Sequence, residues 1–234
     1  YNLRELARDV VLRLAGQSSK AVRQLELTYG GGKTHSLITL YHLVNAPDKL
    51  PDLPAVNEFV QHIGQRPPQA RVVVLPFDKL DVEKGMAIRA PNGETRWLKH
   101  PWSILAYQIA GDEGLRLLHA EGEVAERVSA PAENLLLALL RIPEERGEPT
   151  LLLIDEVLMY AREKVGLDPA WRGRLLNFFQ YLTQAVIKVD HCAMVASLLA
   201  TDPRKSDQLG KELTQELYTI FRRESEKGVQ PVQK

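Results

Sequence analysis

The sequence predicts an α/β fold, a three-layer sandwich whose mainly parallel sheet is flanked by helices. Three observations carry that expectation. The runs Arg71-Val-Val-Val-Leu-Pro-Phe-Asp78, Leu151-Leu-Leu-Ile-Asp-Glu156 and Cys192-Ala-Met-Val-Ala-Ser-Leu-Leu199 are apolar without alternation, as strands buried on both faces are. Segments at helical spacing separate them, the pattern of parallel strands joined by crossover helices. Finally, Arg23 to Thr28 alternates like a short strand and runs through Tyr29-Gly30-Gly31-Gly32-Lys33-Thr34 straight into a helical segment.

Taken in order, Leu3, Leu6, Val10, Val11 and Leu14 share one face and predict a first helix. Leu37, Leu40, Tyr41 and Val44 predict the helix after the glycine turn. Prolines punctuate a connection from Asn45 to Pro54, and a short helix carrying Val56, Phe59, Val60 and Ile63 ends near Gly64. Asp81 to Lys99 has no period and holds the turn signature Pro91-Asn92-Gly93, so the stretch near 79–99 reads as a hairpin-like or loop insertion on the surface. Further helices are expected over Pro101 to Leu118, from near Pro131 through Leu140, over Trp171 to Val186, and over Ser206 to Phe221.

A chain of 234 residues accommodates one sizeable domain, expected here over 1–234. Lys plus Arg equals Asp plus Glu at 30 each, so no global charge points to nucleic acid, membrane or acidic substrate. The one cysteine, Cys192, excludes an intramolecular disulfide and reads as a buried thiol of a reducing cytoplasm. Neither a signal peptide nor a run that spans a bilayer is present, so a cytoplasmic protein without membrane partners is expected. The chain begins at Tyr1 without an initiator Met, which suggests a fragment of a longer protein.

Strand, glycine-rich turn, Lys-Thr and helix form the layout of a phosphate-binding loop. Glycines let successive backbone N–H groups turn inward, the helix N-terminus adds partial positive charge, and Lys33 brings a full charge to the β- and γ-phosphates. Thr34 would supply a hydroxyl to Mg²⁺. The standard spacing places a glycine where Leu27 stands, so a turn that binds nothing is the plain alternative.

Downstream, the apolar run that ends in Asp155-Glu156 forms a Walker B arrangement, opening at the strand end where α/β sheets bind ligands. Asp155 would hold Mg²⁺ through its water shell opposite Thr34, and Glu156 would polarise the attacking water as general base. Two solvated acids at a strand end are common alone. Their occurrence in order after Gly-Gly-Gly-Lys-Thr points to nucleotide binding, and the fold class sharpens to a P-loop NTPase of AAA+-like type. Ser197, at the next strand's end, would orient the lytic water, or be merely a hydrogen-bonded terminus. Arg222 and Arg223, at the end of the last helix, would reach a γ-phosphate bound by a neighbouring copy, or complement a helix C-terminus. The GTPase base-reading motif Asn-Lys-x-Asp is absent, which favours adenine. His35 and His42 do not share a helix face with a third ligand, so histidine-based metal binding is not expected.

These residues resemble a known family. Leu25-Glu-Leu-Thr-Tyr-Gly-Gly-Gly-Lys-Thr-His-Ser-Leu-Ile-Thr-Leu-Tyr-His-Leu43 is similar to the phosphate loop and helix of large prokaryotic ATPases in domain-of-unknown-function family 499. Their loop commonly reads aromatic-Gly-Gly-Gly-Lys-Thr-His, so Leu27 is a family habit. Trp102-Ser-Ile-Leu-Ala-Tyr-Gln-Ile-Ala110, Leu151 to Val157 and Thr219-Ile-Phe-Arg-Arg223 are similar too. The resemblance implies an AAA-like ATPase domain with nucleotide contacts at Gly30, Gly31, Gly32, Lys33 and Thr34, bracketed by Tyr29 and His35. It implies Mg²⁺ binding and water activation at Asp155 and Glu156, and a gene neighbourhood of DNA methyltransferases and phage-defence systems, including the BREX kind. Family members are usually much longer.

The leading expectation is therefore a Mg²⁺-dependent ATPase whose turnover drives a larger DNA-associated or anti-phage assembly, with self-association if the arginines act in trans. The alternative is an ATP-gated binding module, with little turnover, that recruits DNA-modifying partners. Glu156 favours the enzyme, because a pure binding switch needs no acid there.

Overall fold

The computed structural model of the chain describes residues 3–25, 32–119, 125–198 and 207–227. At its centre, β1 (Val22–Gln24), β6 (Cys192–Ala196), β5 (Thr150–Asp155) and β2 (Arg71–Pro76) lie side by side in that order, all parallel. Every residue of β5 and β6 is buried, which explains their lack of alternation. Alternate side chains nevertheless enter different layers. Leu151 and Leu153 of β5 join α1 (Leu3–Leu14), α2 (Lys33–Asn45) and α3 (Pro54–Ile63) on one face. Leu152 and Ile154 join α4 (Pro101–Leu118), α5 (Glu133–Glu145), α6 (Val157–Leu167), α7 (Ala170–Lys188) and α8 (Gln208–Lys227) on the other. The three-layer sandwich with a parallel sheet flanked by helices is thus as the sequence predicts.

The second layer is the larger and is aromatic. Trp102 and Trp171 stack at 5.5 Å between ring centres, and Phe178, Phe179 and Phe221 continue the chain of rings beneath the sheet. Such pairs each add about 1 kcal/mol beyond the area they bury.

Two elements depart from the sequence-based expectation, and a third does so in its burial. Helix α6 follows Glu156 at once, where none was expected; its stripe of Val157, Leu158, Ala161 and Val165 runs on from an apolar strand and is easily read as part of it. Helix α8 continues beyond Phe221 to Lys227, because Leu213, Leu217, Phe221 and Glu224 keep one buried face. Within the expected surface insertion, β3 (Met86–Arg89) and β4 (Thr95–Leu98) form an antiparallel hairpin. One face of it is no surface feature: Ile88 and Leu98 are buried in the main core, as are Leu80 and Val82 before them.

One of the two edge strands of the sheet, β2, is capped at Val74 by a side chain. Val74 donates its N–H to Gln108 Oε1 at 3.0 Å, and Gln108 Nε2 donates back to the Val74 carbonyl at 2.8 Å. Pro76 has no N–H to offer at the strand's end.

Arg13 ties the layers together. It is 6% exposed and makes no ion pair with a described carboxylate. Its guanidinium donates instead to the carbonyls of Cys192 (2.9 Å), Val186 (3.2 Å), Ile187 (3.2 Å), Val189 (2.8 Å) and Ser18 (3.2 Å). The charge sits at the carbonyl end of α7, where the helix dipole is negative. Arg13→Met keeps the apolar stem and orphans these carbonyls, so it is expected to lower unfolding free energy by about 2–4 kcal/mol. A urea midpoint equal to that of the wild type would refute the clamp.

Candidate functional site

Parallel pairing puts the carboxyl ends of all four sheet strands at one edge, and the chemistry-bearing residues meet there. Asp155 is the last residue of β5 and is 9% exposed. Thr34, in the first turn of α2, donates its hydroxyl to Asp155 Oδ2 at 3.1 Å. The other oxygen, Asp155 Oδ1, is buried without a hydrogen-bond partner. A buried carboxylate oxygen left bare is costly unless something cationic or protic meets it.

Gly32 precedes α2 with φ 78° and ψ 25°, the left-handed conformation that glycine adopts without penalty. Its carbonyl accepts the Ser36 N–H at 2.9 Å and the Ser36 hydroxyl at 3.0 Å, which fixes the first turn of the helix. Lys33 then stands close enough to Asp155 and Glu156 to favour the charged form of both.

Glu156 adopts φ 56° and ψ 48°, rare for a residue with a Cβ, at a cost of roughly 1–2 kcal/mol. The conformation breaks the line of β5 and starts α6 immediately. Glu156 N–H donates to the Ser197 carbonyl at 2.9 Å, and Ser197 N–H donates to the Ile154 carbonyl at 2.8 Å, so the ends of β5 and β6 are locked together. The Ser197 side chain is fully buried; its hydroxyl closes no hydrogen bond, yet lies near enough to Asp155 to favour the ionised carboxylate.

Burial raises the Asp155 carboxyl above its ordinary value, against the pull of the Thr34 hydroxyl and Lys33. Burial raises Glu156 as well, with the Asp155 and Asp78 charges adding to it. Asp78 was not singled out by sequence reasoning. It lies two residues past β2, whose last residue, Pro76, pairs with Asp155, and its charge acts on both acids. The available signal was its place after an apolar run, at the same edge as Asp155.

The donor set is hard oxygen, suited to Mg²⁺ and not to a thiophilic metal. Among the described residues, no three His, Cys, Asp or Glu side chains converge tightly enough to cage an ion. A cation here would lean on Thr34, Asp155, water and phosphate, which is how Mg²⁺ is usually bound.

Of the expected site residues, Gly32, Lys33, Thr34, Asp155, Glu156 and Ser197 therefore come together. Tyr29, Gly30 and Gly31 lie outside the described residues. His35 is exposed on α2 and its carbonyl accepts the Thr39 hydroxyl at 2.9 Å. Arg222 and Arg223 are exposed but do not end the last helix: α8 runs on to Lys227, so a helix C-terminus does not explain them. Cys192 is buried and its thiol is pushed up to about 12 by burial, which leaves it inert. No described helix is long and apolar enough to cross a membrane.

The family model described as the DUF499 N-terminal domain matches residues 1–227. No curated protein matches the sequence. Among solved structures, Cdc6p from Pyrobaculum aerophilum is similar at 12% identity and a TM-score of 0.35, over 98% of this chain and 51% of that one. The chain thus spans about half the length of that protein.

Because the Asp155 carboxyl is raised in the folded state, ionising it costs stability. That cost is complete above the raised value and disappears as the pH falls through it. Asp155→Asn should therefore raise the unfolding free energy of the nucleotide-free protein by about 1 kcal/mol at neutral pH, the gain shrinking as the pH drops into the carboxylate range. Thermal melts across pH that show a loss at neutrality would contradict this account of the site.

Proposed function

The chain belongs to the family of the DUF499 N-terminal domain, and we propose that it binds ATP with Mg²⁺ at the carboxyl edge of its sheet and hydrolyses it, as an AAA-like P-loop ATPase domain. The single observation that supports this best is the 3.1 Å hydrogen bond between Thr34 and Asp155, separated by 121 positions in the chain. A strand-end acid and a turn-proximal hydroxyl meet in many α/β proteins. They seldom do so beside a lysine, a left-handed glycine and a second acid in a strained conformation.

In this reading Gly30, Gly31 and Gly32 present N–H groups to the phosphates, between Tyr29 and His35, and Lys33 holds the β- and γ-phosphate charge. Thr34 and Asp155 would hold Mg²⁺, which when bound offsets phosphate charge. Glu156, its carboxyl raised by burial and by the Asp155 and Asp78 charges, takes a proton from water, and Ser197, whose backbone bridges Ile154 and Glu156, orients that water. Catalysis is then mainly positioning and charge stabilisation. Arg222 and Arg223 project from the surface of α8, which suits action on a nucleotide held by a second copy. Service in a DNA-associated or anti-phage assembly is proposed on the family resemblance.

Lys33→Ala should abolish the rise in melting temperature that ATP and Mg²⁺ give the wild type, a stabilisation of about 3 kcal/mol at a hundredfold excess over Kd. An unchanged rise removes the loop from the site. Glu156→Gln should keep that rise and cut phosphate release by about 10²- to 10⁴-fold; equal rates would exclude it as base. If an arginine acts in trans, turnover per chain climbs with protein concentration in the wild type and stays flat and low in Arg222→Ala/Arg223→Ala. Concentration-independent wild-type turnover speaks against that role.

A further inference from the structure

The β3–β4 hairpin has one face that the nucleotide site does not use. By register, Ala87 pairs with Trp97 and Arg89 with Thr95, so these four side chains share a face, and all four are exposed. The opposite face carries Ile88 and Leu98 into the core and Arg96 into an ion pair with Asp112. The hairpin is therefore anchored from behind while its front meets solvent.

Trp97 is 61% exposed, the most exposed large apolar side chain among the described residues. It is not loose. Its indole N–H donates to the Lys84 carbonyl, so the one polar atom of the ring is spent on the 81–85 turn and its faces stay open. Its neighbours on that face are small, Ala87 opposite it and Thr95 two residues before it on the same strand, and leave room over the ring.

Cations surround it. Lys84 belongs to the turn that holds the indole, Lys99 follows two residues on, and Arg89 stands diagonally across the hairpin; all are exposed, and none forms an ion pair with a described residue. Two acids close by accept backbone N–H groups. Asp81 accepts the N–H groups of Glu83 and Lys84, and Glu126 accepts those of Lys99 and His100 at the start of α4. Within 79–99, Lys79, Lys84, Arg89, Arg96 and Lys99 outnumber Asp81, Glu83 and Glu94, in a chain whose formal net charge is zero. Beyond the indole, Arg89 stands at the rim of an open groove of about 870 Å³ along the edge of β2.

A fixed, open aromatic face flanked by unpaired cations complements a base and its adjoining phosphates. A protein partner would be expected to offer Trp97 an acceptor, but its N–H is already satisfied. A duplex keeps its base faces stacked inside. We propose that this hairpin face binds single-stranded nucleic acid, one base stacking on Trp97 while Lys84, Lys99 and Arg89 hold phosphates.

The test uses the whole chain without nucleotide, so it stands apart from ATP turnover. Labelled oligo(dT) and oligo(rU) strands of about 20 nucleotides, and a duplex of equal length, are titrated at low and moderate salt. Trp102 and Trp171 are buried, so quenching of tryptophan emission reports on Trp97. Expected are saturable binding of a strand with quenching, about tenfold weaker binding by Trp97→Ala, near-normal binding by Trp97→Phe, and a flatter salt dependence in Lys84→Ala/Lys99→Ala, with melting temperatures unchanged. Preference for the dT or the rU strand decides whether DNA or RNA is the natural ligand. Absence of strand binding, tighter binding of the duplex, or Trp97→Ala binding like the wild type would overturn the proposal.

Discussion

The carboxyl edge depends on one arrangement: β6 is paired with β1 on one side and with β5 on the other. Strand β1 has only three residues, Val22 to Gln24, and takes its position from Met194, Val195 and Ala196. The ladder extends through the Leu25 N–H, which donates to the Ala196 carbonyl at 2.8 Å, at the last described residue before the glycine turn. On the other side, β6 fixes the backbone of Glu156 through Ser197. A shift of register by one residue would reverse every side chain of a buried strand. It would also move the start of α2 away from Asp155, because both are indexed to the same strand. The Thr34–Asp155 hydrogen bond follows from that pairing; it does not create it.

Burial gives the edge its electrical character. Asp155 and Glu156 are placed where ionisation is penalised, with Asp78 as a third negative charge and Lys33 as the nearby cation. In water such acids would be unremarkable. Here the combination makes a site whose charge is incomplete by itself, and the strained Glu156 backbone adds local cost that the surrounding β5–β6 lock must offset.

Much of this was legible in the sequence because the strongest signals were local. The unbroken apolar runs marked parallel strands, fully buried at β5 and β6, although in the edge strand β2 only Val73 and Leu75 are buried; Gly-Gly-Gly-Lys-Thr marked the start of α2. The first helix is found with the boundaries its apolar spacing sets, Leu3 to Leu14. What escaped was information carried by tertiary contact. Asp78 matters only because Pro76 pairs with Asp155. The Arg13 clamp joins residues 179 apart to carbonyls that have no sequence signature. The hairpin's buried face could not be told from its exposed one, since Met86 to Arg89 and Thr95 to Leu98 alternate too briefly to show which side meets the core. The continuation of α8 past Phe221 rested on Glu224, a charged residue that periodicity counts as polar although the fold buries it.

The amide of Gln108 has a consequence for how copies of this chain can meet. At Val74 it gives the sheet's outer strand the same donor and acceptor that a neighbouring strand would bring, and Pro76 removes the next donor. A second strand that came to pair along β2 would first have to displace that amide, which guards one edge of a sheet whose inner strands are among the most apolar segments of the sequence.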